Sequence, residues 1–227
     1  MLTPSVENKI SQILNVYETG KKEGDPSNVT IFKDGLKSLR ADRKQLSYGK
    51  KQTTESYGLR GLLQLYCNMK GAKYASYFKQ KLSIIGRVSL VDNETFIGML
   101  KKAGTDPVMS KAQELFFENE YGQRAKAFFL KNEFTLPLSY AVIFDSIIHS
   151  GQIRDDIRNM FTEVPPSRGG DEREWIYQYV LNRKKWLASK GIPLSNTVYR
   201  MTAFEDAISK DNWDLSKPFN ANGIIIT

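Results

Sequence analysis

The sequence predicts an α+β domain that is mostly helical, with one small β-hairpin near its N-terminus. Most apolar residues recur at i, i+3, i+4 and i+7, the period of a buried helix face. One short stretch, 29–32, is instead rich in β-branched and aromatic residues, as a strand is. No internal repeat or low-complexity linker interrupts the 227 residues. That length suits one domain, 1–227, with a core large enough to divide into two lobes around a cleft.

The elements follow in order. Thr3 is placed to cap a first helix, and Pro4 fits its first turn. Val6, Ile10, Ile13, Leu14 and Tyr17 then keep helical spacing up to a stop at Gly20. Val29, Thr30, Ile31 and Phe32 form the first strand of the hairpin. Gln45, Leu46, Ser47 and Tyr48 form its partner, with "KDGLKSLRAD" as the connection. The next helix carries Leu59, Leu62, Leu63 and Tyr66 on one side. Asp106-Pro107 opens another, with Ala112, Leu115 and Phe116. "TLPLSYAVIFDSIIHSG" is apolar on nearly every side, so it predicts a central buried helix ending at Ser150-Gly151. "VPPSRGG" is a loop. Asp171 opens a long amphipathic helix that runs to Lys190 and closes at Gly191.

Composition excludes several functions. Apolar residues make up 41% and charged residues 26%, and no run of about 18 apolar residues offers a membrane span. The start, "MLTPSVENKI", has no basic segment followed by an apolar one, so no secretory signal is visible in this chain. Cys67 and His149 are each the only residue of their type. An internal disulfide, a cysteine-rich metal site and a multi-histidine metal site are therefore not expected. The net charge of +8 suits anionic partners, but the basic residues are scattered and no nucleic-acid motif is present.

Two charges sit where apolar residues are expected. Asp145 lies inside the apolar central helix, and an ionised carboxylate there must be paired. Arg183 falls on the stripe made by Ile176, Val180 and Leu187. Each could be the other's partner, and Arg200, flanked by aromatic and apolar residues in "NTVYRMTAF", is a second candidate. This is either a structural ion pair or a network that tunes a catalytic carboxylate. His149 comes four residues after Asp145, on the same helix face, and reads as a core histidine satisfied by that aspartate or by backbone.

The stretch "NVYETGKKEGDPSNVTIFKDG" places Glu18 at a helix end and Asp34 at a strand end. Paired carboxylates can cleave a glycosidic bond, one protonating the leaving oxygen and the other activating water or attacking the sugar. Their surroundings must drive the two pKa values apart.

Longer motifs carry a resemblance. "ILNVYETG", "VTIFKDG", "QLSYGKKQTTE", "LRGLLQLY", "AVIFDSIIHSG", "GGDEREWIYQYVLNRKKWL", "VYRMTAF" and "WDLSKPF" together resemble family 46 of the glycoside hydrolases, the chitosanases of the lysozyme-like superfamily. The resemblance implies a two-lobed, lysozyme-like catalytic domain, with a small sheet in the minor lobe and a cleft between the lobes. It implies endo-hydrolysis of β-1,4 bonds in chitosan with inversion, without a cofactor. Glu18 takes the role of general acid. Ser47, where a threonine is usual, takes that of the hydroxyl that helps hold the water. Asp145, Arg183 and Arg200 form the supporting network. The hairpin connection is longer than is typical and offers two bases: Asp34 is the first choice, and Asp42, five residues before Ser47, the second. Glu55 is a third acid nearby, and Glu55 and Tyr48 are expected to bind substrate. The expected partner is a polysaccharide, not nucleic acid or a membrane, and the resemblance implies a secreted protein; a monomer is expected. The main alternative is a phage-type, peptidoglycan-degrading hydrolase, which the positive charge favours. A carbohydrate-binding module or an inactive relative would be a non-enzymatic third class.

Overall fold

The structure is a computed structural model and describes residues 2–33 and 44–227. Helix α1 (Pro4–Thr19) opens the chain, with the Thr3 hydroxyl accepting from the Val6 amide at 3.4 Å. It stops at Gly20, whose φ of +69° is left-handed and unfavourable for residues with a Cβ. The chain divides into two compact units, Met1–Tyr17 with Glu120–Thr227, and Glu18–Asn119.

The unit Glu18–Asn119 contains a three-stranded antiparallel sheet: β1 (Val29–Lys33), β2 (Lys44–Tyr48) and β3 (Thr53–Thr54), in that order. The first two strands are the expected hairpin. β3 was not expected, because two residues are too few to show a period. The register sets Thr30 opposite Ser47 and Ile31 opposite Leu46. Side chains alternate between faces, so Leu46 and Tyr48 enter the apolar core while Thr30 and Ser47 share the other face. That core is completed by α2 (Leu59–Asn68), α3 (Ala75–Lys79), α4 (Glu94–Gly104) and α5 (Pro107–Phe117), through Leu62, Tyr66, Phe78, Phe96 and Met109.

Two details correct or sharpen the reading of α5. Leu115 was expected to share the buried side but is 41% exposed; the buried stripe runs instead through Met109, Ala112, Gln113 and Phe116. Asp106 caps the helix by accepting from the Val108 amide at 3.0 Å, and also accepts from the Tyr66 hydroxyl at 2.7 Å and the Lys73 amide at 3.1 Å. Burial pushes its pKa up, but these donors outweigh burial and leave it lowered. At the end of α4, a Cβ on Gly104 would come within 2.3 Å of Ser27 Cα, so only glycine fits there.

A π-helical turn (Glu118–Gly122) follows. The other unit then holds α6 (Gln123–Lys131), α7 (Pro137–Ser150), α8 (Asp155–Arg158), α9 (Glu172–Ala188) and α10 (Val198–Ser209). α7 is the expected buried helix, with Leu138, Ala141, Val142 and Ile143 fully buried. Against it packs α9, whose Trp175 and Tyr179 rings stack at 5.3 Å. α9 ends at Ala188 rather than Lys190: the Lys190 amide donates to the Leu187 carbonyl, three residues back, at 3.1 Å, and the Ser189 hydroxyl donates to the Trp186 carbonyl at 2.8 Å.

The expectation of a single hairpin is corrected by a second one, β4 (Phe219–Ala221) with β5 (Ile224–Ile226). Its turn is Asn222-Gly223, with φ of +50° and +88°, the backbone of a type I′ turn. Asn-Gly beside an apolar run is the sequence signal that marks it. No helix among the described residues is long and apolar enough to cross a membrane.

Candidate active site

Glu18 sits half-buried in the last turn of α1. The final carbonyls of a helix have no partner within it and sit at the negative end of its dipole. α1 has no basic residue in its last turn, so those carbonyls are satisfied from elsewhere. The Tyr17 carbonyl accepts from Arg200 at 3.0 Å and from the Tyr199 hydroxyl at 3.3 Å. The Glu18 carbonyl accepts from the Gln52 side-chain amide. Both residues flanking the Tyr17–Glu18 peptide are thereby held through their backbone.

The same Gln52 reaches the hairpin. Its Oε1 lies 3.3 Å from Ser47 Oγ and 3.5 Å from Thr30 Oγ1, and the two hydroxyls are 2.5 Å apart. Ser47 is fully buried, while Thr30 is exposed. Gln52 adopts a left-handed φ of +55°, an uncommon state for a residue with a Cβ. Neither Gln52 nor Thr30 was singled out from sequence. A polar residue in a turn is unremarkable there, and no periodic pattern reports a left-handed backbone.

The other predicted site residues divide into three groups. Asp34 and Asp42 lie outside the described residues. Tyr48 and Glu55, expected to bind substrate, are placed differently: Tyr48 is fully buried in the apolar core and Glu55 is 7% exposed. The Glu55 carboxylate accepts from the Leu90 amide at 2.6 Å and the Leu46 amide at 3.4 Å. It is engaged in holding backbone together, the usual fate of a carboxylate in an interior.

Asp145, Arg183 and Arg200 come together. Arg183 donates to Asp145 Oδ2 at 2.6 Å and Arg200 to Asp145 Oδ1 at 3.0 Å, so each carboxylate oxygen has its own guanidinium. Asp145 and Arg183 are fully buried, and Arg200 is nearly so. Burial alone would raise the Asp145 pKa; the two cations outweigh it and hold the carboxyl below its usual range. His149 pairs with Arg183 rather than with Asp145, its Nδ1 lying 3.2 Å from the guanidinium. Burial and the two arginines hold its pKa down to about 3, so the ring is neutral near pH 7. Since an arginine can only donate, Nδ1 accepts and the proton is on Nε2. Arg200 runs from Asp145 to the Tyr17 carbonyl, one residue before Glu18. Among the described residues no group of three or more His, Cys, Asp or Glu could hold a metal ion.

The model of glycosyl hydrolase family 46 matches residues 62–219. The chain belongs to glycosyl hydrolase family 46. Membership makes it a glycoside hydrolase, and the matched region contains Asp145, Arg183 and Arg200, while Glu18, Thr30, Ser47 and Gln52 precede it. The fold of this family 46 chain is shared along its whole length. A family 46 chitosanase from Gynuella sunshinyii, in complex with chitotetraose, superposes with a TM-score of 0.83 at 18% identity, over 99% of this chain and 98% of that one. The native chitosanase of Bacillus subtilis MY002 gives 0.80 at 19% identity, over 100% of both chains. A mutant chitosanase of the same strain, complexed with 6 GlcN, gives 0.80 at 18% identity, also over 100% of both. No curated protein matches the family 46 chain.

Proposed function

We propose that this family 46 glycoside hydrolase is an endo-acting chitosanase that cleaves β-1,4 bonds between glucosamine units with inversion. The observation that carries the reading is membership of the family, joined by whole-length likeness to chitosanases solved with a glucosamine oligomer or chitotetraose. Glu18 protonates the leaving oxygen. An aspartate of the β1–β2 connection, Asp34 or Asp42, takes a proton from water, whose oxygen attacks the anomeric carbon as the bond to the leaving oxygen breaks. The hydroxyls beside Gln52 help to hold that water. Asp145 fixes Arg200, and Arg200 fixes the helix end that presents Glu18. No step calls for a cofactor. A polymer too large to cross a membrane is met outside the cell, so the same reading makes the protein extracellular.

The test compares reducing-end release and viscosity loss of soluble chitosan with clearing of purified cell wall. Rapid viscosity loss with reducing-end release is expected for endo-cleavage, with an α-anomer as the initial product by NMR. Clearing of cell wall without action on chitosan would overturn the substrate, and an initial β-anomer would overturn the inversion.

A further inference from the structure

We propose that five exposed lysines around the α4–α5 junction, Lys70, Lys73, Lys101, Lys102 and Lys111, form a docking surface for an anionic polysaccharide. The surface uses none of the groups placed at the active site. Its preference for anions is independent of the proposed function; the choice of a polysaccharide rests on the extracellular setting of that function.

Charge is shared unevenly between the two units. Glu18–Asn119 holds 18 of the 33 basic residues and 11 of the 25 acidic ones, a net +7, whereas the rest of the chain, with 15 and 14, carries +1. From α2 into α5, over residues 59–113, nine lysines and arginines stand against Asp92, Glu94 and Asp106 alone. Asp106 is buried, and its carboxylate is taken up by the Tyr66 hydroxyl and the Lys73 and Val108 amides.

The same carboxylate gathers lysines that are far apart in the sequence. By accepting from the Lys73 amide it fastens the turn after α2 to the start of α5. Gly71, within that turn, faces Val108: a Cβ there would lie 3.8 Å from the Val108 side chain. Lys70 and Lys73 flank Gly71, and Lys111 lies one helical turn beyond Val108 on the same face. Lys101 and Lys102 occupy the last turn of α4, which the Asp106 amide closes by donating to the Ala103 carbonyl at 2.9 Å. All five lysines are exposed, and among the described residues none is in a salt bridge. The negative ends of α2 and α4 favour Lys70, Lys101 and Lys102 individually. Joined by Lys73 and Lys111, they have no acid facing them, and their mutual repulsion is relieved only by an anion from outside.

That anion is not the substrate of the proposed reaction, since chitosan is a polycation and this surface repels it. Leu115 is the one exposed large apolar residue of α2, α3, α4 and α5, so the surface lacks the apolar face that a membrane-surface helix buries. It has no exposed aromatic ring on which a nucleic-acid base would stack. What it offers is charge spread over three segments, which suits a flexible polymer with an anionic group on each repeat.

The experiment measures binding of the protein to alginate, duplex DNA and phosphatidylglycerol vesicles, with uncharged dextran as the blank. Two variants change the charge equally. One replaces Lys70, Lys73, Lys101, Lys102 and Lys111 by Gln; the other replaces Lys126, Lys131, Lys185, Lys190 and Lys210, also exposed, by Gln. Wild type should bind alginate more tightly than DNA or vesicles, and salt should weaken the binding. The first variant should lose on the order of tenfold or more in affinity for alginate, and the second much less. The first should also hydrolyse chitosan at least as fast as wild type at low salt, because a repulsive surface is gone. Should it fail to fold by circular dichroism, replacement of Lys101, Lys102 and Lys111 alone carries the test, with Lys126, Lys131 and Lys185 as the counterpart. No binding to alginate, tighter binding to DNA or vesicles, or equal losses in the two variants overturns the docking surface. Wild type that binds alginate but leaves chitosan intact overturns the proposed function and not this surface.

Discussion

Glu18 sits at the end of a helix with no basic residue in its last turn, and the carbonyls around it are held by Arg200, Tyr199 and Gln52. A general acid depends on such anchoring, because proton transfer requires the carboxyl within hydrogen-bond reach of the leaving oxygen. Glu18→Gln keeps shape and hydrogen bonding but has no titrating proton. Its kcat on soluble chitosan is expected to fall by about 10²–10⁴-fold, and turnover near wild type would remove Glu18 from the role. The base is resolved by comparing Asp34→Asn with Asp42→Asn. The one that serves should lose activity while its thermal unfolding is unchanged. Glu55→Gln provides the contrast: its carboxylate holds two backbone amides, so it should lower stability more than it lowers kcat in the protein that remains folded.

Among the elements, α5 shows how one buried polar side chain fixes the position of a helix. Gln113 is fully buried in α5. Its Oε1 accepts from the Lys50 amide at 2.9 Å and its Nε2 donates to the Pro26 carbonyl at 2.9 Å. It thus ties α5 to the turn after β2 and to the segment leading into β1. Gln113→Ala would strand two backbone groups, each costing about 1–3 kcal/mol when unsatisfied. Denaturant unfolding should show a loss of about 2–6 kcal/mol on that basis, whereas Leu115→Ala on the exposed side of the same helix should change stability by under roughly 0.5 kcal/mol. Equal effects would mean that α5 is held by its apolar stripe alone.

For the whole molecule, the Asp145 network contributes to how stability depends on pH, through His149 above all between pH 6.5 and 3. The His149 pKa is held down to about 3, below its value of roughly 6.5 in an unfolded chain. The unfolded state therefore binds an extra proton between those values, and stability present above about pH 6.5 is lost as pH falls toward 3, at up to about 1.4 kcal/mol per pH unit. The lowered Asp145 pKa adds a second loss in the same direction, confined to pH below about 4. His149→Gln keeps an acceptor for Arg183 and should flatten the profile between pH 6 and 4.5 while leaving the steeper acid limb; an unchanged slope would mean the ring titrates normally. At neutral pH, Asp145→Ala and Arg183→Ala should each cost about 3–5 kcal/mol. Their double variant should cost less than the sum, and strict additivity in denaturant unfolding would mean that the two charges are not coupled.

Much of this was legible in the sequence, because burial leaves a periodic mark. The spacing of Ile10, Ile13 and Leu14 gave α1, and the unbroken apolar run gave α7. Asp145 and Arg183 stood out because a charge on an apolar face needs a partner wherever the chain takes it. The Asn222-Gly223 turn is likewise local chemistry, carried by two adjacent residues. Other features depend on contacts between residues far apart in the chain. Tyr48 and Glu55 look as available as any polar or aromatic residue in a hairpin until the core closes over them. Thr30 and Ser47 are equivalent hydroxyls on paper; Ser47 is buried on the middle strand between Thr30 and Thr54, whereas Thr30 is exposed on an outer strand of the sheet. Gln52 gains its place because its turn brings one amide to the end of a helix more than thirty residues earlier. A pattern along the chain can say that a group must be buried or capped. Which distant group meets it is decided by tertiary contacts, whose free energies are small individually and effective only together.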